Sequence, residues 1–383
     1  MESEALPRAR PGSERPGCGP LAGRRILYAS TNHAWAFGWT FYQMLAEALA
    51  GRNEVVYVDT PTSLARLRPR RWGALLVAAA EREGRLDLLR AAGLPLQRSR
   101  WQRSAGGRLA ARAVARWAAR AGFDPDLVWT FSPWELPFVR RFGAATSVYW
   151  TADHLPFVPG ERPLLERVDV ILAAADPVYE ALRARFGARV HPVPVACDFA
   201  RYHGARLAPA PPPAALAPLE RPLFGYAGWV SPRLDLELLR DLAERRTGTV
   251  VVAGVRSGLS AERLRAALGP RVVLLGPQSR EELPALMRSF DVALVPYREN
   301  EFNRCSNPVK FYEYLASGRP TVTTDIPTLR AFGSVASVGS RETFVERALA
   351  EAERPTGDEP ARVAVAREHS FPALLERLGA VLG

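Results

Sequence analysis

The sequence predicts two successive α/β domains, each built around a parallel sheet, and three observations support that prediction. The chain has 383 residues, a length that suits two domains of ordinary size. Short apolar runs of strand length alternate with segments of helical length, as in parallel sheets covered by helices. A stretch rich in Pro and Ala, with PAPPPAALAP at its centre, interrupts this alternation and marks the boundary between the halves.

The predicted elements follow one another in strand–helix order, beginning with a strand at residues 24–30, a helix at 40–50 and a strand at 54–59. Further strands are expected at residues 127–131, 147–150, 169–174, 189–195, 223–227, 249–255, 271–275, 291–296 and 320–324. Further helices are expected at residues 177–185, 234–245, 261–268, 281–289, 308–317 and 371–382. Ligands of such sheets bind at the carboxyl ends of the strands, so the strand-to-helix loops should line a cleft between the domains.

The predicted domain boundaries divide the chain into five parts. Residues 24–202 form the first domain, 203–221 the linker, 222–365 the second domain and 366–383 a terminal helical segment. Residues 1–23 contain no apolar segment and are mostly Pro, Gly, Arg and Glu. We therefore expect a disordered tail rather than a signal peptide.

The composition argues against several classes of protein. No run of eighteen apolar residues occurs, so no segment is expected to span a membrane. Cys18, Cys197 and Cys305 are too few and too scattered for a disulfide framework or a zinc site, which favours a cytoplasmic location. Asp124 and Asp126 have metal-pair spacing, but the proline between them favours a turn, and we expect no metal. No G-x-G-x-x-G follows the first strand, which argues against a dinucleotide oxidoreductase.

The most informative segment is NRCSNPVKFYEYLASGRP, residues 303–320. Asn307 and Pro308 predict a helix start, with Asn307 as the cap, and Gly318 predicts its end. Lys310, the one lysine among fifty-one basic residues, then lies in the first turn. A cation there opposes the helix macrodipole unless an anion binds at that end. We therefore predict an anion site, with Glu313 on the same face of the helix, rather than a surface Lys–Glu pair.

The stretch LVPYRENEFNRCSNPVKFYEYLASGRPTVTTDIP resembles the donor-site signature of GT-B glycosyltransferases, especially the retaining enzymes of family four. LFGYAGWV resembles the start of their second domain, and AREHSFPALLERLGAVLG resembles their C-terminal crossover helix. The similarity is strongest to polysaccharide glycosyltransferases of the teichuronic-acid type. It implies two Rossmann-like domains facing across a cleft, with the terminal helix packing back toward the first domain.

The resemblance also implies roles for individual residues. Lys310 would neutralise the diphosphate of a nucleotide-sugar, and Glu313 would hold its ribose. Ser306 and Asn307 would contact the diphosphate and the sugar. Catalytic residues would be Asp153 and His154, which would face the acceptor and the anomeric centre from the first domain.

Two positions depart from the family pattern. Cys305 stands where many members carry a carboxylate that contacts the sugar, and Asn303 or Glu301 could take over that contact. Trp229 stands where those members carry an Arg, so Arg233 is the nearby cation that could bind the diphosphate or simply face solvent at a helix start.

The loop after the first strand, STNHAWAFGW, supplies further candidates. Asn32, His33 and Trp35 could border an acceptor site, and Gly38 would permit close approach of the backbone. A hydrophobic cap over the sheet explains the same aromatic residues equally well.

Positive charge is concentrated between Arg66 and Arg120, where fourteen arginines and three acids leave a surplus of eleven, equal to the net charge of the whole chain. Arg108, Arg112, Arg116 and Arg120 recur every four residues and predict a basic stripe along a helix, with Leu109, Ala113 and Trp117 as an apolar face beside it. We interpret the stripe as a surface that docks on an anionic membrane; a solvated helix is the alternative, and no motif indicates nucleic acid.

Together these features predict a glycosyltransferase that moves a sugar from a nucleotide diphosphate-sugar to a hydroxyl acceptor in polysaccharide or glycolipid assembly. The resemblance implies a retaining reaction, and no cofactor or metal is expected. The alternatives are a catalytically silent nucleotide-binding module and a sugar-nucleotide epimerase on the same fold. We expect a cytoplasmic protein that binds the inner face of the membrane peripherally.

Overall fold

The computed structural model describes residues 21–31, 35, 40–59, 62–63, 79–90, 92–93, 100–143, 145–152, 160–207 and 211–382. Within these ranges the chain forms two parallel-sheet halves, which confirms the predicted α/β architecture. None of the helices in these ranges combines the length and the apolar character needed to cross a membrane.

The first half is built around an eight-stranded sheet in the order β10–β9–β8–β7–β1–β2–β5–β4, parallel except for the pair β4–β5. A separate two-stranded sheet pairs β3 with β6. The strands are β1 Arg25–Ala29, β2 Glu54–Val58, β3 Thr62–Ser63, β4 Ala79–Glu83, β5 Leu86–Arg90, β6 Ala92–Gly93, β7 Leu127–Thr130, β8 Thr146–Thr151, β9 Val170–Ala173 and β10 Val190–Pro192. The helices are α1 Phe41–Ala50, α2 Arg100–Ala121, α3 Leu136–Arg141, α4 Arg162–Leu165, α5 Asp176–Phe186 and α6 Phe199–Leu207.

The second half is built around a six-stranded parallel sheet in the order β13–β12–β11–β14–β15–β16. Its strands are β11 Leu223–Ala227, β12 Thr249–Ala253, β13 Val273–Gly276, β14 Val292–Val295, β15 Thr321–Thr324 and β16 Ser337–Gly339. Its helices are α7 Leu236–Glu244, α8 Ala261–Leu268, α9 Leu283–Ser289, α10 Glu301–Arg304, α11 Val309–Ala316 and α12 Phe344–Glu353, followed by α13 Glu359–Glu368 and α14 Phe371–Leu382.

The central strands read as continuous apolar runs because helices cover both faces of each sheet. Every residue of β11 and β14 is buried, as are the last four residues of β1 and β2. Each fully buried Leu, Val or Ile side chain contributes about 1.5–3 kcal/mol relative to exposure. This burial fixes the carboxyl ends of the strands, where the loops of both halves begin.

Two predicted boundaries differ from the structure. Helix α6 includes residues 203–207, which were predicted to belong to the linker, so the connection between the halves begins after Leu207. The predicted boundary between residues 365 and 366 falls inside α13. Composition misled the first assignment, because the Pro- and Ala-rich run begins just after a segment that is itself helical.

The terminal helix α14 returns to the first half and contacts α1. The Phe371 ring stacks on Phe41 with ring centroids 6.2 Å apart. Close to this contact, the Cys197 amide donates to the His369 carbonyl at 2.8 Å. The two halves are therefore joined at the end of the chain as well as through α6.

Candidate active site

A cavity of about 650 Å³ lies between the two halves. The second half contributes the residues that follow β11 and β12 and the first two turns of α11. The first half contributes α1, Ala152 at the end of β8, and α6. Its polar and charged lining includes Asp198, Arg201, Tyr202, Arg233, Arg280, Asn307, Lys310 and Glu313.

Helix α11 places Lys310 at the wall of this cavity, in the first turn, as the sequence predicts. The Lys310 Nζ donates to the Tyr297 hydroxyl at 2.9 Å. It also lies 5.4 Å from the centre of the Tyr226 ring. Two aromatic rings therefore hold the ammonium group beside the amino end of the helix, where an anion gains from both the charge and the exposed N–H groups.

Asn307 does not cap α11, which corrects the sequence-based expectation. The cap position is Pro308, and no side chain caps it. The Asn307 Nδ2 instead donates to the Ala174 carbonyl of the first half at 2.8 Å, and its Oδ1 accepts from the Tyr312 hydroxyl at 2.9 Å. The residue still lines the cavity, and it ties the start of α11 to the opposite half.

Glu313 lies one turn beyond Lys310, and its carboxyl group has a raised pKa. Burial raises the pKa to about 7, against the lowering effects of the Lys310 charge and of a hydrogen bond from Tyr202. The negative charge of Asp198 raises it further. Near neutral pH this carboxyl group is therefore poised to accept hydrogen bonds from ligand hydroxyls as it ionises.

Arg233 is fixed at the same end of α11. Its Nε donates to the Asn303 Oδ1 at 3.0 Å, and its Nη2 donates to the Ser306 Oγ at 2.6 Å. Its guanidinium carbon lies 4.9 Å from the centre of the Tyr297 ring, the ring whose hydroxyl binds Lys310. The structure thus brings together Lys310 and Arg233, two cations that the sequence placed 77 positions apart.

Asn303 and Ser306 support this arrangement. Neither residue lines the cavity, and both are buried. The Asn303 Nδ2 donates to the carbonyls of Arg233 and Arg298, at 3.1 and 2.9 Å. These contacts indicate that Asn303 and Ser306 orient Arg233 instead of contacting a ligand themselves.

Cys305 does not line the cavity. It is 7% exposed and packs into the apolar core of the first half. Burial also raises the pKa of its thiol, so it remains protonated at neutral pH. The position where the resemblance to GT-B glycosyltransferases implies a carboxylate is therefore part of the contact between the two halves in this chain.

The acceptor-side candidates fall largely outside the described residues. Asp153, His154, Asn32, His33 and Gly38 belong to this group. Ala152, immediately before Asp153, lines the cavity.

Trp35 is described, and it does not line the cavity. Its amide donates to the Asp59 carboxylate at 2.8 Å, and its ring packs edge-on against Tyr57 with centroids 5.0 Å apart. This geometry agrees with the second interpretation of the loop, in which its aromatic residues form a hydrophobic cap over the sheet.

Sequence reasoning missed the contribution of α6, and of the residue just before it, to the cavity. Asp198, Arg201 and Tyr202 all line it. Arg280 at the start of the α9 region donates to Asp198 at 3.3 Å, and it lies 3.8 Å from Glu47 of α1. The helical spacing of charged and aromatic residues in CDFARYHGARL was the available signal, but we predicted no helix for residues 196–202 and placed residues 203–221 in the linker.

A carboxylate in the first half holds the base of the loop after β1. Glu135 is fully buried, and its two oxygens accept four hydrogen bonds. The donors are the Thr31 amide and hydroxyl, at 2.8 and 2.9 Å, and the amides of Phe131 and Ser132, at 2.7 and 3.1 Å. This network joins the carboxyl ends of β1 and β7, the edge from which the first half faces the cavity.

The basic stripe lies on the exposed face of α2, as predicted for Arg108, Arg112, Arg116 and Arg120. The apolar face predicted beside it is only partly correct. Leu109 is exposed, whereas Ala113 is buried and Trp117 packs against Phe123 in the core. Residues spaced by four therefore form both faces of α2: one row of them packs into the core, and the row of arginines faces the solvent.

Comparison with known proteins finds a family match within the second half. The family model of glycosyl transferases group 1 matches residues 232–351, which contain Arg233, Lys310 and Glu313. This part of the chain is therefore similar to the glycosyl transferases of group 1. A protein of Bacillus subtilis (strain 168) named as a teichuronic acid biosynthesis glycosyltransferase is 25% identical over 175 residues, or 44% of this chain and 43% of that protein. This match spans less than half of the relative's length.

Solved structures share the complete fold. An α,α-trehalose-phosphate synthase (UDP-forming) from Burkholderia vietnamiensis superposes with a TM-score of 0.70 at 14% identity, covering 94% of this chain and 97% of the other. The trehalose-6-phosphate enzyme from E. coli, bound with UDP-2-fluoro glucose, gives 0.68 at 13% identity, covering 94% and 98%. These similarities establish the GT-B fold over nearly the whole chain.

Proposed function

We propose that this protein transfers a sugar from a nucleotide diphosphate-sugar to a hydroxyl acceptor, in the assembly of a polysaccharide or a glycolipid. The observation that supports the proposal most strongly is the convergence of Lys310, Arg233 and Glu313 on one cavity between two GT-B halves. The similarity to a teichuronic-acid glycosyltransferase supports a glycan product. The E. coli enzyme bound with UDP-2-fluoro glucose supports a nucleotide-sugar donor.

The charge distribution of the cavity suits departure of a nucleoside diphosphate. The bond between the anomeric carbon and the phosphate oxygen breaks, and negative charge develops on the diphosphate. Lys310, Arg233 and the N–H groups at the start of α11 are already oriented to stabilise that charge. Glu313 would accept hydrogen bonds from the ribose and hold the nucleoside in place.

We propose that the reaction retains the anomeric configuration and needs no divalent metal. In a retaining reaction of this type the acceptor oxygen attacks from the face that the diphosphate leaves, and its proton passes to the departing phosphate oxygen. Two fixed cations supply the positive charge that a metal ion provides in other transferases. Asp153 and His154 would orient the acceptor from the first half.

Release of nucleoside diphosphate tests the reaction. The purified protein is incubated with a panel of nucleotide-sugars and with lipid or glycan extracts, in the presence and absence of a chelator. We expect release in both conditions and loss of release in Lys310→Ala, whereas the exposed control Arg256→Ala keeps it.

Two results would contradict parts of this proposal. Binding of nucleotide-sugar without release, whatever extract is supplied, would favour the silent module. Loss of release in chelator, restored by magnesium or manganese, would contradict metal independence. The configuration of the product at the anomeric carbon, measured by NMR, tests retention.

We also propose that the basic stripe of α2 docks on an anionic membrane surface, which would present a lipid-linked acceptor to the cavity. Arg108, Arg112, Arg116 and Arg120 are all exposed on this face. Each basic residue near an anionic leaflet contributes about 1 kcal/mol, so four suffice for reversible binding.

Co-sedimentation with phosphatidylglycerol-containing liposomes tests the docking. Binding should increase with the anionic fraction, decrease with salt, and decrease when Arg108, Arg112 and Arg116 are replaced by Gln. A matched control replaces the exposed residues Arg256, Arg263 and Arg265 of the second half, with the same change in charge. Equal losses in the two variants, or no binding at low salt, would contradict a specific stripe.

A further inference from the structure

Two large apolar side chains stand exposed next to each other in the cavity wall. Trp229 is 38% exposed and Val255 is 41% exposed, and both line the cavity. They follow β11 and β12, which are parallel and in register, and the parallel bridge between Val230 and Arg256 continues that register. Trp229 and Val255 are therefore cross-strand neighbours on the same side of the sheet edge. The described residues include four exposed large apolar side chains, and two of them form this pair.

A pair of glycines sets the position of this apolar pair. A Cβ atom on Gly254 would lie 1.7 Å from the Gly228 carbonyl oxygen. The two strand ends therefore approach so closely that only glycine fits at position 254. A Cβ atom on Gly228 would lie 2.7 Å from the Lys310 Cε and 3.3 Å from its Nζ. The backbone leading into Trp229 thus runs directly against the cation proposed to bind the diphosphate.

The diphosphate of a bound donor joins the sugar at one end to the nucleoside at the other. The donor site proposed above gives the ribose to Glu313, which leaves the apolar pair beside Lys310 as a candidate surface for the sugar. Cys305, at the position where the resemblance to GT-B glycosyltransferases implies a sugar-contacting carboxylate, is buried against the first half and does not line the cavity. Recognition of the sugar must therefore come from other groups. An indole ring suits the C–H face of a pyranose, because both surfaces are flat and weakly polar.

We propose that Trp229 and Val255 form an apolar wall against which the pyranose ring of the donor packs, and that this wall, in place of a carboxylate, recognises the sugar. The proposal rests on the nucleotide-sugar donor inferred above. It assigns the diphosphate to Lys310 and Arg233 and the sugar to the two residues that follow the paired glycines. Removal of the wall should therefore weaken binding of the sugar and leave binding of the diphosphate unchanged.

Titration calorimetry separates the two contributions. The probes are the diphosphates of uridine, guanosine and thymidine and the donors UDP-glucose, GDP-mannose and dTDP-rhamnose. For the base that the wild type binds, Trp229→Ala should weaken the nucleotide-sugar about 3- to 10-fold and leave the free diphosphate unchanged. Trp229→Phe should keep most of the affinity, and Val255→Ala should give a smaller loss in the same direction. Leu207→Ala, an exposed apolar residue outside the cavity, is the control.

The outcomes distinguish this proposal from the one on which it rests. Equal weakening of the free diphosphate and the nucleotide-sugar in Trp229→Ala would overturn the apolar wall and leave the donor site standing. An unchanged affinity for both ligands would overturn it in the same way. A wild-type protein that binds none of the six probes would overturn both proposals.

Discussion

Glu313 gives the sharpest quantitative prediction, because its carboxyl group titrates close to neutral pH. Burial raises its pKa to about 7, and Lys310 and Tyr202 lower it while Asp198 raises it. The thiol of Cys197 also faces Glu313 from the segment before α6. Ribose hydroxyls donate hydrogen bonds, so they bind the ionised carboxylate. We therefore expect nucleoside diphosphate affinity to rise as the pH rises through about 7.

The size of the effect follows from the ionised fraction. With a pKa near 7, Glu313 is about one-tenth ionised at pH 6 and about nine-tenths ionised at pH 8, which predicts a change in affinity of about tenfold. The stability of the folded protein depends on pH in the opposite direction. The pKa is higher in the folded than in the unfolded chain, so this group's contribution to stability is present at acidic pH and declines as the pH rises from about 4 to about 7. The decline is at most about 3 kcal/mol.

Calorimetric titration with a nucleoside diphosphate between pH 6 and pH 8 measures the binding effect. The phosphate groups of the ligand titrate in the same range, so Glu313→Gln and inorganic pyrophosphate serve as controls. The wild type should gain about tenfold more affinity for the nucleoside diphosphate over this range than Glu313→Gln gains, and pyrophosphate should show no such excess. Identical pH profiles for the two proteins would refute the assigned role of Glu313.

Three further predictions concern other residues. Lys310→Arg should reduce diphosphate affinity at least about tenfold in calorimetry, because a planar guanidinium does not replace an ammonium group held between two rings; unchanged turnover would contradict this. Glu135→Ala should lower the free energy of unfolding by about 3 kcal/mol or more in a denaturant titration, because four donors lose their acceptor, whereas the exposed Glu166→Ala should change it by less than about 0.5 kcal/mol. Asp153→Asn and His154→Ala should reduce turnover far more than donor affinity in parallel kinetic and binding assays; an equal loss of both would remove these residues from the acceptor side.

The sequence predicted the elements whose signal is local. Strands β11 and β14 are uninterrupted apolar runs, and helices α8 and α14 match the predicted bounds. The short strand β16 and the helices α12 and α13 were not predicted, since three residues carry little periodicity and the later helices are rich in charge.

The parts of the site that sequence reasoning assigned incorrectly or could not place depend on contacts between the halves. Asparagine is a common N-cap residue, yet the Asn307 side chain donates to the Ala174 carbonyl, which is 133 positions away in the sequence. Cys305 has no local feature that reveals its burial in the core of the other half. In contrast, Lys310 could be predicted, because its rarity and its place in the first turn are both visible in the sequence.

The central claim is that a nucleoside diphosphate binds between the halves at Lys310, and thermal denaturation with added ligand tests it most directly. The wild type and Lys310→Ala are melted in chelator with the diphosphates of uridine, guanosine, adenosine and thymidine. A ligand present at a hundred times its dissociation constant should stabilise the wild type by about 2.7 kcal/mol, and the stabilisation should largely disappear in Lys310→Ala. Equal stabilisation of the two proteins, or none of the wild type by any of the four ligands, would contradict the account.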